Sequence, residues 1–311
     1  MRALVIVLLF VATLLSPWGA ASAQQATPAD APEVACVAPA LPPGTPGPMD
    51  APDATTASPV ADEPSADAAV PVDSGEPGEP ADERTSAQVI SAVKNIVGCL
   101  ASGDYLAFAA LLTPTYLQTE MGTDNPYDLP IFLEGFPPVE LISAGEVQIH
   151  DDGRLSADVT LATGGTQLER FRAYFVDDGG TLLLDEERTL PIKGADVTVE
   201  VTMLDYSFEL STTTVPSGAV VAFNLVNEGE YPHEFVVVRL PDGVTVENVL
   251  DDPSLMDQVE FFGGAFADPG GTGAMGLQRL EPGTYTAVCF VDVPEGVPHV
   301  MRGMVAEFTV E

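Results

Sequence analysis

The chain has 311 residues and 47 acidic against 11 basic side chains, a net charge of −36. That balance excludes nucleic acid and anionic membrane surfaces as partners, since both require basic patches. With three cysteines and three histidines in all, any metal chemistry has few side chains to draw on.

The first residues, MRALVIVLLFVATLLSPWGAASAQQ, combine an early Arg2, an apolar run from Ala3 to Leu15 and a small-residue ASA ending at Ala23. That layout predicts a secretory signal peptide over 1–23 and a secreted or periplasmic location. The alternative is an uncleaved N-terminal membrane anchor. Residues 24–86 hold 13 prolines, 12 acidic residues, one basic residue and no aromatic, too little apolar surface to offset chain entropy, so a disordered linker is expected. Cys36 is its one oddity.

Apolar periodicity then begins. Ile90, Val93, Val97 and Leu100 recur at helical spacing, and Asp104 suits the N-cap of a second helix through Tyr105, Leu106, Phe108 and Leu112. After the proline-rich crossing NPYDLPIFLEGFPP come four strand-like segments, VELISAGEVQIH, RLSADVTLAT, TQLERFRAYFV and TLLLDEERTL, separated by DDGR, TGG and DDGG turns. Two helices followed by an antiparallel meander make an α+β domain over 87–193. In element order it resembles the nuclear transport factor 2-like superfamily, and the resemblance implies a cone-like pocket for a small apolar ligand. His150 falls at a turn and reads as a solvated side chain. Cys99 is either a buried small hydrophobe or the disulfide partner of Cys36, a pairing that an oxidising compartment permits.

From 194 to 311 every segment alternates. VTVEVTMLDYSFEL, TTTVPSGAVVAFNLVNE, YPHEFVVVRL, GTYTAVCFV and MVAEFTVE, with PSG, PDG and EPG turns, predict an all-β Greek-key sandwich. GGAFADPGGTGAMG (263–276) lacks a following lysine and reads as a flexible loop rather than a phosphate cradle.

Two stretches of this sandwich carry chemistry. NEGEYPHEFVVV delivers His233 to the start of a strand, and CFVDVPEGVPHVMRGM places Cys289 at the end of one and His299, Met301 and Met304 before the last. Two imidazoles, a thiolate and a weak axial thioether form the ligand set of a type 1 (blue) copper site. VNEGEYPHEFVVV resembles the first-histidine stretch of plastocyanins, and TYTAVCFVDVPEGVPHVMRGMVAEFTV is similar to the Cys-His-Met loop of cupredoxins. Nine residues separate Cys289 from His299, so the loop resembles that of the copper nitrite reductases more closely than the plastocyanin one. The resemblance implies one mononuclear copper held by His233, Cys289, His299 and Met304, the last preferred to Met301 by spacing. It further implies one-electron transfer with an unidentified redox partner protein rather than enzymatic catalysis. Glu234 stands where plastocyanins carry asparagine. Once two histidines are used only His150 remains, too few for nitrite reduction or multicopper oxidase chemistry. Two other readings share these residues: a metal-free scaffold beside a ligand-binding cone, and copper storage or delivery. Arg302 is a surface charge or a contact for the partner.

Overall fold

The computed structural model describes residues 36–41, 43–45, 78–292 and 296–311. The expected signal peptide and most of the expected linker lie outside these. Among the described residues, one compact unit takes in 36–41, 43, 78–161 and 172–187, and a second takes in 44–45, 162–171 and 188–311.

In the first unit a short strand β1 (Glu79–Pro80) precedes helix α1 (Glu83–Ala101). Asp82 caps the helix by accepting the Thr85 N–H at 2.7 Å, so it starts inside the stretch expected as linker. Its buried stripe is Val89, Val93, Ile96, Val97 and Leu100, the helical period read from the sequence except that Val89 takes the buried place expected of Ile90, which is half-buried. Asp104 caps α2 (Tyr105–Ala109) as expected, but that helix ends early. Thr113 and Pro114 open a third, α3 (Pro114–Thr119), and the proline-rich crossing holds a 3-10 turn (Pro126–Asp128) and α4 (Leu129–Phe132). The chain therefore forms four helices here where two were expected. Pro114, Pro126 and Pro130 sit in first turns, where a missing N–H costs nothing.

Strands β2 (Val139–Ile149), β3 (Leu155–Thr163), β4 (Gln167–Asp178) and β5 (Thr181–Thr189) follow, β3 beside β2, β4 beside β3 and β5 beside β4. His150 is half-buried rather than solvated: its Nε2 lies 2.8 Å from Ser156 Oγ and its ring packs on Tyr174 at 5.1 Å. Cys36 and Cys99 form a disulfide, Cα atoms 4.6 Å apart. Asn95 adds two hydrogen bonds beside it, accepting the Val37 N–H at 2.8 Å and donating to the Val37 carbonyl. Among the described residues no helix is long and apolar enough to cross a membrane.

The second unit is a two-sheet sandwich. One sheet runs β7 (Ser207–Leu210), β6 (Val197–Leu204), β9 (Val221–Asn227) and β12 (Thr272–Leu277); Gly276 and Leu277 of β12 pair with Leu168 and Gln167. The other runs β11 (Glu260–Ala267), β10 (His233–Arg239), β13 (Gly283–Val288), β14 (Val305–Val310) and β8 (Thr214–Val215). Two pairs, β6 with β9 and β14 with β8, are parallel. The core follows the two-residue period of strands: Val199, Val201 and Met203; Phe223 and Leu225; Phe235 and Val237; Tyr285, Ala287 and Cys289; Phe308 and Val310.

Three local expectations change. VTVEVTMLDYSFEL breaks into β6 and β7 at Asp205 and Tyr206. A helix, α5 (Val246–Asp251), opens with a Thr245–Asn248 capping box inside the link from β10 to β11. The glycine-rich 263–276 is not a loop but most of β11 and β12 with a tight turn between them. Its glycines serve close packing: a Cβ on Gly263 would stand 2.6 Å from Gln167 Oε1.

Candidate metal centre

The period that fills the core also aims the donors. His233 opens β10 on the face that carries Phe235 and Val237 inward, and Cys289 continues the inward series of β13. Antiparallel pairing of β10 with β13, Val236 opposite Val288, brings the start of one strand beside the end of the other. Imidazole and thiol 56 residues apart in sequence thus meet at one pole.

The long loop returns His299 to the same point. Asp292 bridges Pro298, the His299 N–H donates to the Val291 carbonyl at 2.8 Å, and the Val300 N–H donates to the Cys289 carbonyl at 2.8 Å. These bonds close the loop's neck, so the nine-residue spacing does not move the second imidazole away from the sulfur. A 3-10 turn, His299–Arg302, follows and ends at Gly303 in the left-handed region, φ 94°. The Met304 N–H then donates to the His299 carbonyl at 3.1 Å. Met304 is fully buried in the sandwich core, whereas Met301 is 59 % exposed.

Three donor atoms converge. His233 Nδ1 lies 2.9 Å from His299 Nδ1, and Cys289 Sγ lies 3.4 Å from His299 Nδ1 and 3.9 Å from His233 Nδ1. All three side chains are buried, and among the described residues this is the one group of His, Cys, Asp and Glu with such convergence. A point in the plane of that triangle lies about 2.0 Å from each atom, the length of a bond from imidazole to a first-row metal ion. Each of the three atoms can turn a lone pair toward a cation at that point once its proton is elsewhere or lost. His299 Nε2 is buried without a hydrogen-bond partner among the described residues. The donor set, its trigonal arrangement and its burial fit one mononuclear type 1 copper.

Electrostatics point the same way. Burial, then the neighbouring His299 ring, lowers the His233 pKa to about 4, so its imidazole is neutral and free to donate a lone pair near neutral pH. Burial likewise lowers that of His299. Burial pushes the Cys289 thiol up to about 12, opposed by backbone N–H groups of Glu234 and Val291 that favour the thiolate. The Glu234 N–H stands 3.4 Å from the sulfur. At this position the backbone, not the side chain, makes the sulfur contact. The Glu234 carboxyl is buried and pushed up to about 7 by that burial, with the Phe290 N–H opposing.

Several residues around the centre escaped the sequence reading. Asp205 Oδ1 lies 3.3 Å from His233 Nε2. Asn227 holds the His233 turn, donating to the carbonyls of Tyr231 and Ala267 at 2.8 and 2.9 Å and accepting the Gly229 N–H at 2.9 Å. Gly229 admits the approach: a Cβ there would collide with Asp205 Oδ1 and stand 2.8 Å from His233 Nε2. Tyr206 and Tyr231 set their rings at 5.2 and 6.0 Å from that of His299, and the Arg302 guanidinium lies 5.1 Å over Tyr206. The available signal was a polar pair, Asp205 and Tyr206, interrupting an otherwise alternating run.

No protein-family model matches the chain, and no curated protein does. Among solved structures it is similar to a dithionite-reduced auracyanin from the photosynthetic bacterium Roseiflexus castenholzii, at 21 % identity and a TM-score of 0.30, over 38 % of this chain and 99 % of that one. It is similar also to auracyanin A, a blue copper protein from Chloroflexus aurantiacus, at 16 % identity and a TM-score of 0.26, over 37 % and 98 %. A multicopper oxidase aligns at 15 % identity and a TM-score of 0.26, over 45 % of this chain and 56 % of that one. At these values the donor triangle, not the likeness, carries the weight. The chain itself supplies two imidazoles and a thiol at one point, with the buried thioether Met304 following His299 in sequence.

Proposed function

We propose that this is an extracytoplasmic type 1 copper protein that passes single electrons to and from a redox partner protein, with His233, Cys289 and His299 as the close ligands and Met304 as the axial one. The observation that carries the reading is the buried triangle of two Nδ1 atoms and one sulfur. Bound copper would supply a one-electron couple.

The chain's own residues do the rest. His233 and Cys289 are fixed by adjacent, paired strands, so the donor spacing changes little when charge changes, which keeps reorganisation small. Phe235, Ala287 and Phe308 fill the core behind the sulfur and exclude water. The Glu234 and Val291 N–H groups stabilise the thiolate once its proton has left. Met304 is preferred as axial ligand because it is buried while Met301 faces solvent. The Cys36–Cys99 disulfide supports export, since such bonds persist in oxidising compartments.

Bond-making chemistry is not part of this reading. The third histidine, His150, is engaged with Ser156, and a catalytic copper cluster would need more imidazoles than the chain has. A rigid, fully buried donor set also favours electron transfer over delivery, which needs a ligand exposed to an acceptor. The first unit holds a cavity of about 1,100 Å3 whose lining mixes Leu111, Leu155 and Leu182 with Arg84, Lys94 and Asp177. Were a small ligand to bind this open groove, its mixed lining would favour an amphiphile over a purely apolar molecule.

The test is reconstitution of the purified chain with Cu(II). One copper per chain and an intense visible thiolate-to-copper charge-transfer band are expected. Sub-stoichiometric uptake, or copper bound without that band, sinks the proposal.

A further inference from the structure

Both imidazoles of the centre lean on one two-residue turn. β6 and β7 pair with Leu204 opposite Ser207, leaving Asp205 and Tyr206 as the whole connection. Tyr206 has φ 68°, a left-handed conformation that a residue of its bulk adopts only under strain. Glycine would relieve that strain, yet the side chains of both turn residues are in use. Asp205 Oδ1 faces His233 Nε2 at 3.3 Å and accepts the backbone N–H groups of Glu230 at 3.0 Å and Tyr231 at 3.4 Å. Tyr206 presents its ring to His299 at 87°, centroids 5.2 Å apart, with Arg302 over the tyrosine and Tyr231 stacked on it at 6.3 Å. One turn therefore touches both histidines, His233 at Nε2, the nitrogen turned away from the donor triangle, and His299 through its ring.

We propose that the Asp205–Tyr206 turn is a positioning clamp that orients both histidines and tunes the metal they hold. Asp205, an acceptor, requires the proton of His233 on Nε2 and so leaves the Nδ1 lone pair facing the triangle. Its negative charge, transmitted through that imidazole, makes His233 a stronger donor and favours the more highly charged oxidised ion. Tyr206 fixes the plane of His299 and seals its buried Nε2 from water. The tuning part rests on the copper reading above, while the orientation of His233 does not, because it follows from the Asp205 contact alone.

Two measurements on the full-length chain separate these. In the metal-free protein, nitrogen-15 imidazole NMR should show His233 protonated at Nε2 and bare at Nδ1. A proton on Nδ1 overturns the clamp whatever the metal result. In the copper-loaded protein, Asp205→Asn keeps shape but removes charge. It should shift the redox equilibrium toward Cu(I) by at least about tenfold, about 59 mV for one electron, while retaining the visible band. Asp205→Glu should restore part of that shift. A change of less than twofold in Asp205→Asn overturns the tuning even if the wild type is blue. A wild type with no blue band overturns the copper reading and the tuning with it, leaving the orientation to the NMR result. Should Asp205→Asn fold poorly, Tyr206→Gly, which relieves the left-handed strain, serves instead. Its thermal stability should hold while its visible and electron paramagnetic resonance spectra change, and unaltered spectra count against the clamp.

Discussion

Two of the three cysteines lie at the ends of elements of secondary structure, and the molecule treats them oppositely. Cys99 sits in the last turn of helix α1 beside Cys36 and is oxidised to a disulfide; Cys289 directly follows β13 and stays a free, buried thiol. Both are fully buried, so burial does not distinguish them. What differs is the neighbour each backbone delivers. α1 brings Cys99 within 4.6 Å, Cα to Cα, of a second cysteine, while β13 brings Cys289 against two imidazole nitrogens. Cysteine chemistry here is set by the residue across from it, and an oxidising compartment suits a thiol that a metal can hold as thiolate.

Exchanging either sulfur should break the comparison most sharply. Cys289→Ala removes the only thiolate donor and should abolish the visible band outright, whereas Cys99→Ala should leave it intact; absorption spectra of the two copper-loaded variants decide. Acidity sharpens it next. With its pKa raised to about 12, the Cys289 thiol is protonated in the metal-free chain throughout the neutral range, so copper binding must expel one proton. Raising the pH makes that release easier. Apparent affinity should climb about tenfold per pH unit, roughly a hundredfold from pH 7 to pH 9, as measured by competition with a chelator whose own pH dependence is known. A flat profile would mean that the sulfur is not a ligand.

The disulfide's own contribution is to stability. It spans 63 residues, and Cys99→Ala should cost about 4 kcal/mol of unfolding free energy in chemical denaturation. A much smaller loss would mean that the Asn95–Val37 hydrogen bonds already hold the segment. The smallest effect belongs to the histidine outside the pole. His150→Gln forfeits a hydrogen bond with Ser156 and ring packing on Tyr174, worth about 1 kcal/mol, with no change in the visible spectrum.

Much of the metal pole was legible beforehand because ligand identity is written in side chains and strand period in their alternation. His233, Phe235 and Val237 share a face by spacing alone, as do Tyr285, Ala287 and Cys289. The orienting residues were not legible. Asp205 and Tyr206 lie some thirty residues ahead of His233 in a stretch read as continuous strand, and a carboxylate is ordinary in so acidic a chain. Glycines between 263 and 276 read as flexibility because glycine's conformational freedom is visible in sequence, while the crowding that demands it belongs to Gln167, nearly a hundred residues earlier. The additional helices were not legible either. Pro114 and Pro126 begin turns of helix, a role that depends on the capping residue before each.

By itself the sequence determined the chemistry on offer: three cysteines and three histidines, one cysteine and two histidines of them at strand ends, and two methionines that only spacing told apart. Tertiary structure alone decided that those donors meet, that a nine-residue excursion closes at its neck, and that a strained turn presses on both imidazoles. The reason is physical. A side chain's donor atom is a local property, but a distance of 2.9 Å between nitrogens 66 residues apart exists only after two strands pair and a core closes behind them.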